Sequence, residues 1–379
     1  MSKYIVLHCI SEGNEFILLL HSSGVKTLEE PYPDPQEHAN TDQLIFFHAR
    51  WGVHQSSTQR LRFPTNSLIL RTLIPKGEAF RMDAALYALS VGVCLSDAVD
   101  ADELKYVYHE NGQESIKVLP TFSTLLVLRS GASGYNLPGL KYDPRLLLHG
   151  QQYIELYKPL PSSCHIHNKV SLAGLHDKGK AAILEIETKS YEKESGDLLC
   201  MNRTTVFLRG SGGFSKSSKP FSYTNYPVNQ NPAVKIPESK PFSVFEDRTQ
   251  PSQAYSECSS FWQALLYRLS GDYNPLHSDP MVAKVAGSWG VLRFSRPILH
   301  GLCTLGFAVR AIIKCICRGD PDLVKSIAGR FLLHVYPGET LVTEMWLEGS
   351  RVIFRTKVKE RKRTVLSGYV DLRGLTSSL

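Results

Sequence analysis

The chain has no run of 18 or more apolar residues among its 379, so no helical membrane span is expected. The first twenty residues, MSKYIVLHCISEGNEFILLL, are split by a polar, acidic segment and make a poor signal peptide. Eight cysteines are scattered along the sequence without a single C-x-x-C pair, which reads as reduced thiols in a reducing compartment. GxxxxGK followed by Ser or Thr, GxGxxG after a strand, HExxH and GxSxG are all missing. Their absence removes the usual signatures of phosphate-loop, dinucleotide-binding, zinc-protease and serine-hydrolase chemistry.

What remains is an ordinary globular composition, 42% hydrophobic and 21% charged. At roughly 150 residues per domain the length allows two or three domains and a sizeable core. The net charge is +7, and most of it lies in one strip, Arg351 to Arg363, with seven basic residues and one acid. Such a strip serves nucleic acid, an anionic surface or a phosphorylated ligand, or is the wet face of a strand. Val352, Phe354 and Val358 alternate against Arg351, Arg355, Lys357 and Lys359, which favours the half-buried strand and predicts no nucleic-acid partner.

Residues 1–80 carry no consistent period and form an atypical extension. From Met82 the apolar residues take helical spacing, followed by a strand-like KYVYH (105–109). KAAILEIETKSYEKESGDLLCMNRTTVFLRG reads as two strands around a Glu-Ser-Gly-Asp turn. Residues 210–240, rich in Gly, Ser, Pro, Lys and Asn, have the composition of a linker between a first half, 81–209, and a second, 241–379. GETLVTEMWLEG, SRVIFRTKVKER and TVLSGYVDLRG predict an antiparallel meander at the end. Leu147-Leu148-His149-Gly150 and Ile298-Leu299-His300-Gly301 form a weak internal repeat, one per half. His165 and His167 read as solvent-side strand residues, with no acids nearby in sequence to complete a metal site.

The densest chemistry is in YRLSGDYNPLHSDP (267–280), which holds Asp272, Asn274, His277 and Asp279 within eight residues. Asn274-Pro275 signals a turn or helix start, so a carboxylate just before it and an imidazole just after would share one pocket. That pair suits proton movement near neutral pH. The alternative is that Asp272 or Asn274 only caps the helix and His277 sits at the surface. In PILHGLCTLG (297–306), Gly301 falls near the start of an apolar helix, where its amide could stabilise an oxyanion. There the alternative is a glycine that permits close packing.

YRLSGDYNPLHSDP followed by PILHGLCTLGF closely resembles the hydratase 2 motif of the peroxisomal type 2 enoyl-CoA hydratases, a branch of the MaoC-like dehydratases. LLLHGQQYIELYKPLP, HDKGKAAILEIETK and YPGETLVTEMWLEGSRVIFRTKV look like further family segments, and the likeness runs from about Met82 to the end, nearest the plant monofunctional form. The resemblance implies an α+β double hot-dog fold and reversible hydration of trans-2-enoyl-CoA to (3R)-3-hydroxyacyl-CoA. Asp272, Asn274 and His277 would be the catalytic trio and Gly301 the oxyanion donor. His149, Gly150, Lys178, Tyr273 and Phe331 would contact the acyl-CoA ligand. No metal and no cofactor are implied, and a homodimer is. The terminal Ser377-Ser378-Leu379 resembles a peroxisomal import tripeptide, which implies the import receptor as a partner and the peroxisome as location.

Three segments depart from the family pattern: residues 1–80, Tyr255 to Ala264, and Ser288 to Arg293. Each junction reads through smoothly when the segment is deleted, so all three are read as retained non-coding sequence or a mispredicted start. The expectation is that the last segment loops outward near the pocket mouth and leaves Gly301 at its helix start. The rival reading is an acyl-CoA-binding protein impaired by displacement of Gly301.

Overall fold

The computed structural model describes residues 7–12, 15–20, 70–73, 78–128, 140–143, 146–215, 218–227, 234–249, 262–288 and 294–374. It divides into two compact units, 1–58 and 59–379. The first contains an antiparallel hairpin of β1 (Leu7–Glu12) and β2 (Glu15–Leu20).

The second unit is built on one antiparallel sheet. The early strands are β3 (Leu70–Leu73), β4 (Leu147–Leu156), β5 (Ile166–Asp177), β6 (Ala181–Glu192), β7 (Leu198–Arg209) and β8 (Ser222–Thr224). The later ones are β9 (Ser243–Arg248), β10 (Val324–Phe331), β11 (Thr340–Glu348), β12 (Arg351–Val358) and β13 (Arg363–Leu372). Their order is β3-β5-β6-β7-β4-β10-β13-β12-β11-β9, with β8 also on β5. The predicted β6–β7 hairpin and the β11–β12–β13 meander both form. Residues 70–73, inside the atypical extension, pair with β5, and α1 (Glu78–Ser90) also begins within it.

β4 and β10 join the halves, pairing from Gln151 with Arg330 to Glu155 with Ser326. One hydrophobic core therefore runs through both halves, from Tyr87 and Phe122 to Phe354 and Val370. At its centre is α6 (Gly301–Cys315), buried without a break from Leu302 to Ile313. A helix buried on every face is stable only when surrounded, and here strands β9 to β13 pack against it. The C-terminal end of α1 meets it at Gly306, where an added Cβ would run into Val91, just past that helix, and lie 3.0 Å from the Tyr87 hydroxyl. Arg310 of α6 forms buried ion pairs with Glu103 of α2 (Ala101–Leu104) and Asp247 of β9, tying the two halves again.

KYVYH is not a strand. Leu104's carbonyl accepts from the amides of Val107 and Tyr108, so the chain coils on from α2, and Tyr106 turns inward to donate to the Gly319 carbonyl. The linker-like stretch is anchored at several points: Asp177 accepts from the amides of Gly213 and Ser215, Asn225 Nδ2 donates to Leu172, and Trp346 Nε1 donates to Ser239. In the basic strip, Val352, Phe354 and Val358 are buried, while Arg351 pairs with Asp371, Arg355 and Lys357 with Glu344, Lys359 with Glu246, and Arg361 with Glu339. Acids on neighbouring strands, and Glu339 just before β11, thus neutralise most of the strip.

Candidate active site

Asn274 caps a single 3-10 turn, Pro275–His277, its Oδ1 accepting from Leu276 N at 3.0 Å. Asp272 precedes the turn and its Oδ1 accepts from Asn274 N at 3.3 Å. The capping alternative is therefore half of what is observed. The other half is not: His277 is buried rather than at the surface. Its Nδ1–H donates to the Ile298 carbonyl at 2.8 Å, which leaves Nε2 as the acceptor. Burial pulls its pKa below the ordinary 6.5, opposed by the nearby Asp272 carboxylate.

Gly301 is the first residue of α6. The first four amides of a helix lack intrahelical acceptors, and the macrodipole places partial positive charge there. A Cβ on Gly301 would lie 3.1 Å from the Phe331 ring. Phe331, on β10, meets the His149 ring edge to face at 4.9 Å. His149 comes from β4, so the seam between the halves assembles this corner. His149 Nε2–H faces the Gln151 carbonyl and Gln152 Oε1, both at 3.1 Å, and burial pulls its pKa down to about 4. It is an uncharged contact at neutral pH.

A cavity of about 1730 Å³ is lined by Asp272, Tyr273, Asn274, His277 and Gly301, and by His149, Gly150, Lys178 and Phe331. All nine site residues expected from the sequence are thus on one cavity. Lys178 reaches it from the β5–β6 turn, beside Asp177, whose carboxylate is held well below its usual range by bonds to Ser215, Gly213 and Gly179. Ser377, Ser378 and Leu379 lie outside the described residues.

Sequence reasoning passed over His300, treating it only as part of the repeated tetrapeptide. The repeat is not structural: the first copy opens β4 and the second leads into α6. His300 is almost wholly buried and stacks on His277, centroids 3.7 Å apart. The signal was available, since it immediately precedes the oxyanion candidate. Asp272, His277 and His300 each bring a potential metal-ligand atom within 4.8 Å of the others. One nitrogen of each histidine is already committed to a backbone carbonyl. The proton on that nitrogen fixes each tautomer and leaves Nε2 of His277 and Nδ1 of His300 as the basic nitrogens of the cluster.

Of the departing segments, Trp262–Ala264 form the first turn of α4 (Trp262–Leu269), and Ala264 is in the core. Ser288 ends α5 (Pro280–Ser288), and the chain re-enters at the buried Phe294. Residues 289–293 lie outside the described residues, as does the expected outward loop. Gly301 stays at the start of its helix.

Two family models match the chain: "MFE-2 hydratase 2 N-terminal domain" over residues 79–210 and "MaoC like domain" over 248–368. The chain is 69% identical over 297 residues to the peroxisomal enoyl-CoA hydratase 2 of Arabidopsis thaliana, covering 78% of this chain and 91% of that one. It is 40% identical to mouse peroxisomal multifunctional enzyme type 2 over 77% of its own length, and spans 36% of that longer protein. Among solved structures it is similar to a MaoC-like dehydratase from Phytophthora capsici, with TM-score 0.65, 29% identity and coverage of 83% and 97%. It is also similar to the full-length Drosophila multifunctional enzyme type 2, with TM-score 0.64, 31% identity and coverage of 81% and 48%. The fold is the double hot-dog of that group, and the chain belongs to the hydratase 2 family of MaoC-like dehydratases.

Proposed function

We infer that this chain adds water to a trans-2-enoyl-CoA to give the (3R)-3-hydroxyacyl-CoA, with Asp272, Asn274, His277 and Gly301 as the working groups. It is an enoyl-CoA hydratase 2, a hydro-lyase of peroxisomal β-oxidation acting on acyl-CoA thioesters. The observation that supports the residue assignment is the convergence of Asp272, His277 and Gly301 on one cavity walled by both halves.

The steps follow from the protonation pattern. His277 is neutral, with Nδ1–H fixed on Ile298 and Nε2 available. Nε2 takes a proton from water as the hydroxyl oxygen adds to C3. The Asp272 carboxylate stabilises the imidazolium that forms and holds the other water hydrogen. With its Oδ1 engaged in the cap, Asn274 retains Nδ2 to orient the same water. Electrons move onto the thioester oxygen, where the Gly301 amide and the α6 dipole stabilise the enolate. The imidazolium then protonates C2, the thioester carbonyl re-forms and His277 is neutral again. One water is consumed and no group on the protein is changed.

The exposed Lys178 and Tyr273, and His149, Gly150 and Phe331 at the seam, form the ligand contacts. That Gly301 opens α6 despite the 288–293 segment favours activity over the impaired alternative.

The test is loss of enoyl-thioester absorbance followed by chiral analysis of the product. A (3R) product is expected, and a (3S) product or no turnover would overturn the reading. D272A and H277A should each lower kcat by ~10² or more. An unchanged rate would return both residues to a structural role.

A further inference from the structure

The reaction above leaves His300 without a task, although its side chain is only 1% exposed. Burying an imidazole costs free energy unless its nitrogens are partnered. Here Nε2–H donates to the backbone carbonyl of Asp272 at 3.2 Å, while Nδ1 is buried with no hydrogen-bond partner. An aliphatic side chain would fill the space without an orphaned nitrogen, so stability alone does not account for a histidine.

Its contacts do. The ring stacks on His277, centroids 3.7 Å apart and planes 28° from parallel, with Tyr267 at 4.7 Å on the ring's surroundings. Its main chain is the N-cap of α6, and its carbonyl accepts from Thr304 N at 3.1 Å, fixing the turn that begins with Gly301. One residue therefore touches the turn that carries Asp272, the ring of His277 and the helix start that presents the Gly301 amide. These parts come from two segments, 272–277 and the start of α6, and must agree in position for water, C3 and the thioester oxygen to line up.

We propose that His300 is a positioning residue for hydration: its stacked ring and its hydrogen bond to the Asp272 carbonyl hold the acid–base pair in register with the Gly301 amide. This rests on the assignment of Asp272, His277 and Gly301 made above. Misplacing a catalytic group by about 1 Å costs ~10²-fold in rate, and binding of the distant CoA is untouched by such a shift. The signature is a fall in kcat with KM nearly constant.

The experiment compares H300F, H300Q, D272N and H277Q in the full-length protein, with kcat and KM resolved for one trans-2-enoyl-CoA and melting temperature recorded for each. H300F keeps a ring against His277 and removes the donor to Asp272. H300Q keeps a donor near the Nε2 position and removes the stack. H300F is expected to lower kcat by ~10- to 10²-fold with KM within about threefold of wild type, and H300Q to recover part of that loss. If both His300 variants keep kcat within about threefold while D272N and H277Q lose ~10² or more, the positioning role is wrong and the acid–base assignment stands. If D272N and H277Q keep full rate, the assignment falls and the positioning role with it. A loss in which KM rises in step with the fall in kcat, or which follows a collapse of melting temperature in both His300 variants, makes His300 a packing residue and overturns the proposal.

Discussion

Phe331 leaves the start of α6 no room for a side chain. An alanine at position 301 would place its Cβ at 3.1 and 3.2 Å from two ring carbons, tighter than ordinary contact. Either the ring or the helix start must move, and the oxyanion donor moves with the latter. Gly301→Ala is expected to lower kcat about tenfold, less than the ~10²–10³ of losing a donor outright. Phe331→Leu in the same chain should restore part of it; no recovery in the double variant would rule out the steric cause. Charge gives a second expectation. Because burial lowers the His277 pKa below the ordinary 6.5, the neutral, proton-accepting ring predominates at that pH. The acid limb of kcat/KM should have its midpoint below pH 6.5, and a midpoint above 6.5 would contradict a base whose pKa burial has lowered. Asp272, Asn274 and His277 were legible in the sequence because they sit on and just before one short turn whose Asn-Pro start is a local signal. His149 and Phe331 were legible only through family likeness. They meet across the seam between strands, and no local pattern records which strands pair.

At the level of elements, strands with strict alternation were legible and short helical turns were not. β12 reads correctly because Val352, Phe354 and Val358 are buried and the basic residues between them are outward. KYVYH misleads because aromatic and β-branched residues favour strands, whereas here the hydrogen bonds to Leu104 decide. α4 bears on the segment Tyr255 to Ala264. The helix needs a small residue at the fully buried Ala264, and Gln263-Ala264 repeats Gln253-Ala254. Deleting 255–264 brings the earlier pair into the helix in place of the later one. The melting temperature should then be unchanged or higher, and a drop of more than about 4 °C, roughly 1 kcal/mol or more, would mean that the segment contributes to the fold. Deleting Ser288 to Arg293 should likewise preserve or raise activity, since α5 and Phe294 hold their places on either side. Reduced activity and reduced solubility together would mark that segment as a working part.

For the whole molecule, two buried histidines, His277 and His300, and the half-buried His149 tie stability to pH. His149, His277 and His300 all have native pKa values below 6.5, so the unfolded chain binds more protons in acid. Their contribution is fully present above pH 6.5 and is lost as pH falls from there through the native values, about 4 for His149. The melting temperature should decline between pH 6.5 and 4, less steeply in His149→Gln; an identical slope would take His149 out of the account. The seam between β4 and β10 has a consequence of a different kind. Two surfaces that must meet to form a site are tethered on one chain, so each sees the other at a local concentration that dilution does not lower. Turnover per molecule should therefore stay constant as the enzyme is diluted through the nanomolar range, where a site shared between separate chains would fall apart.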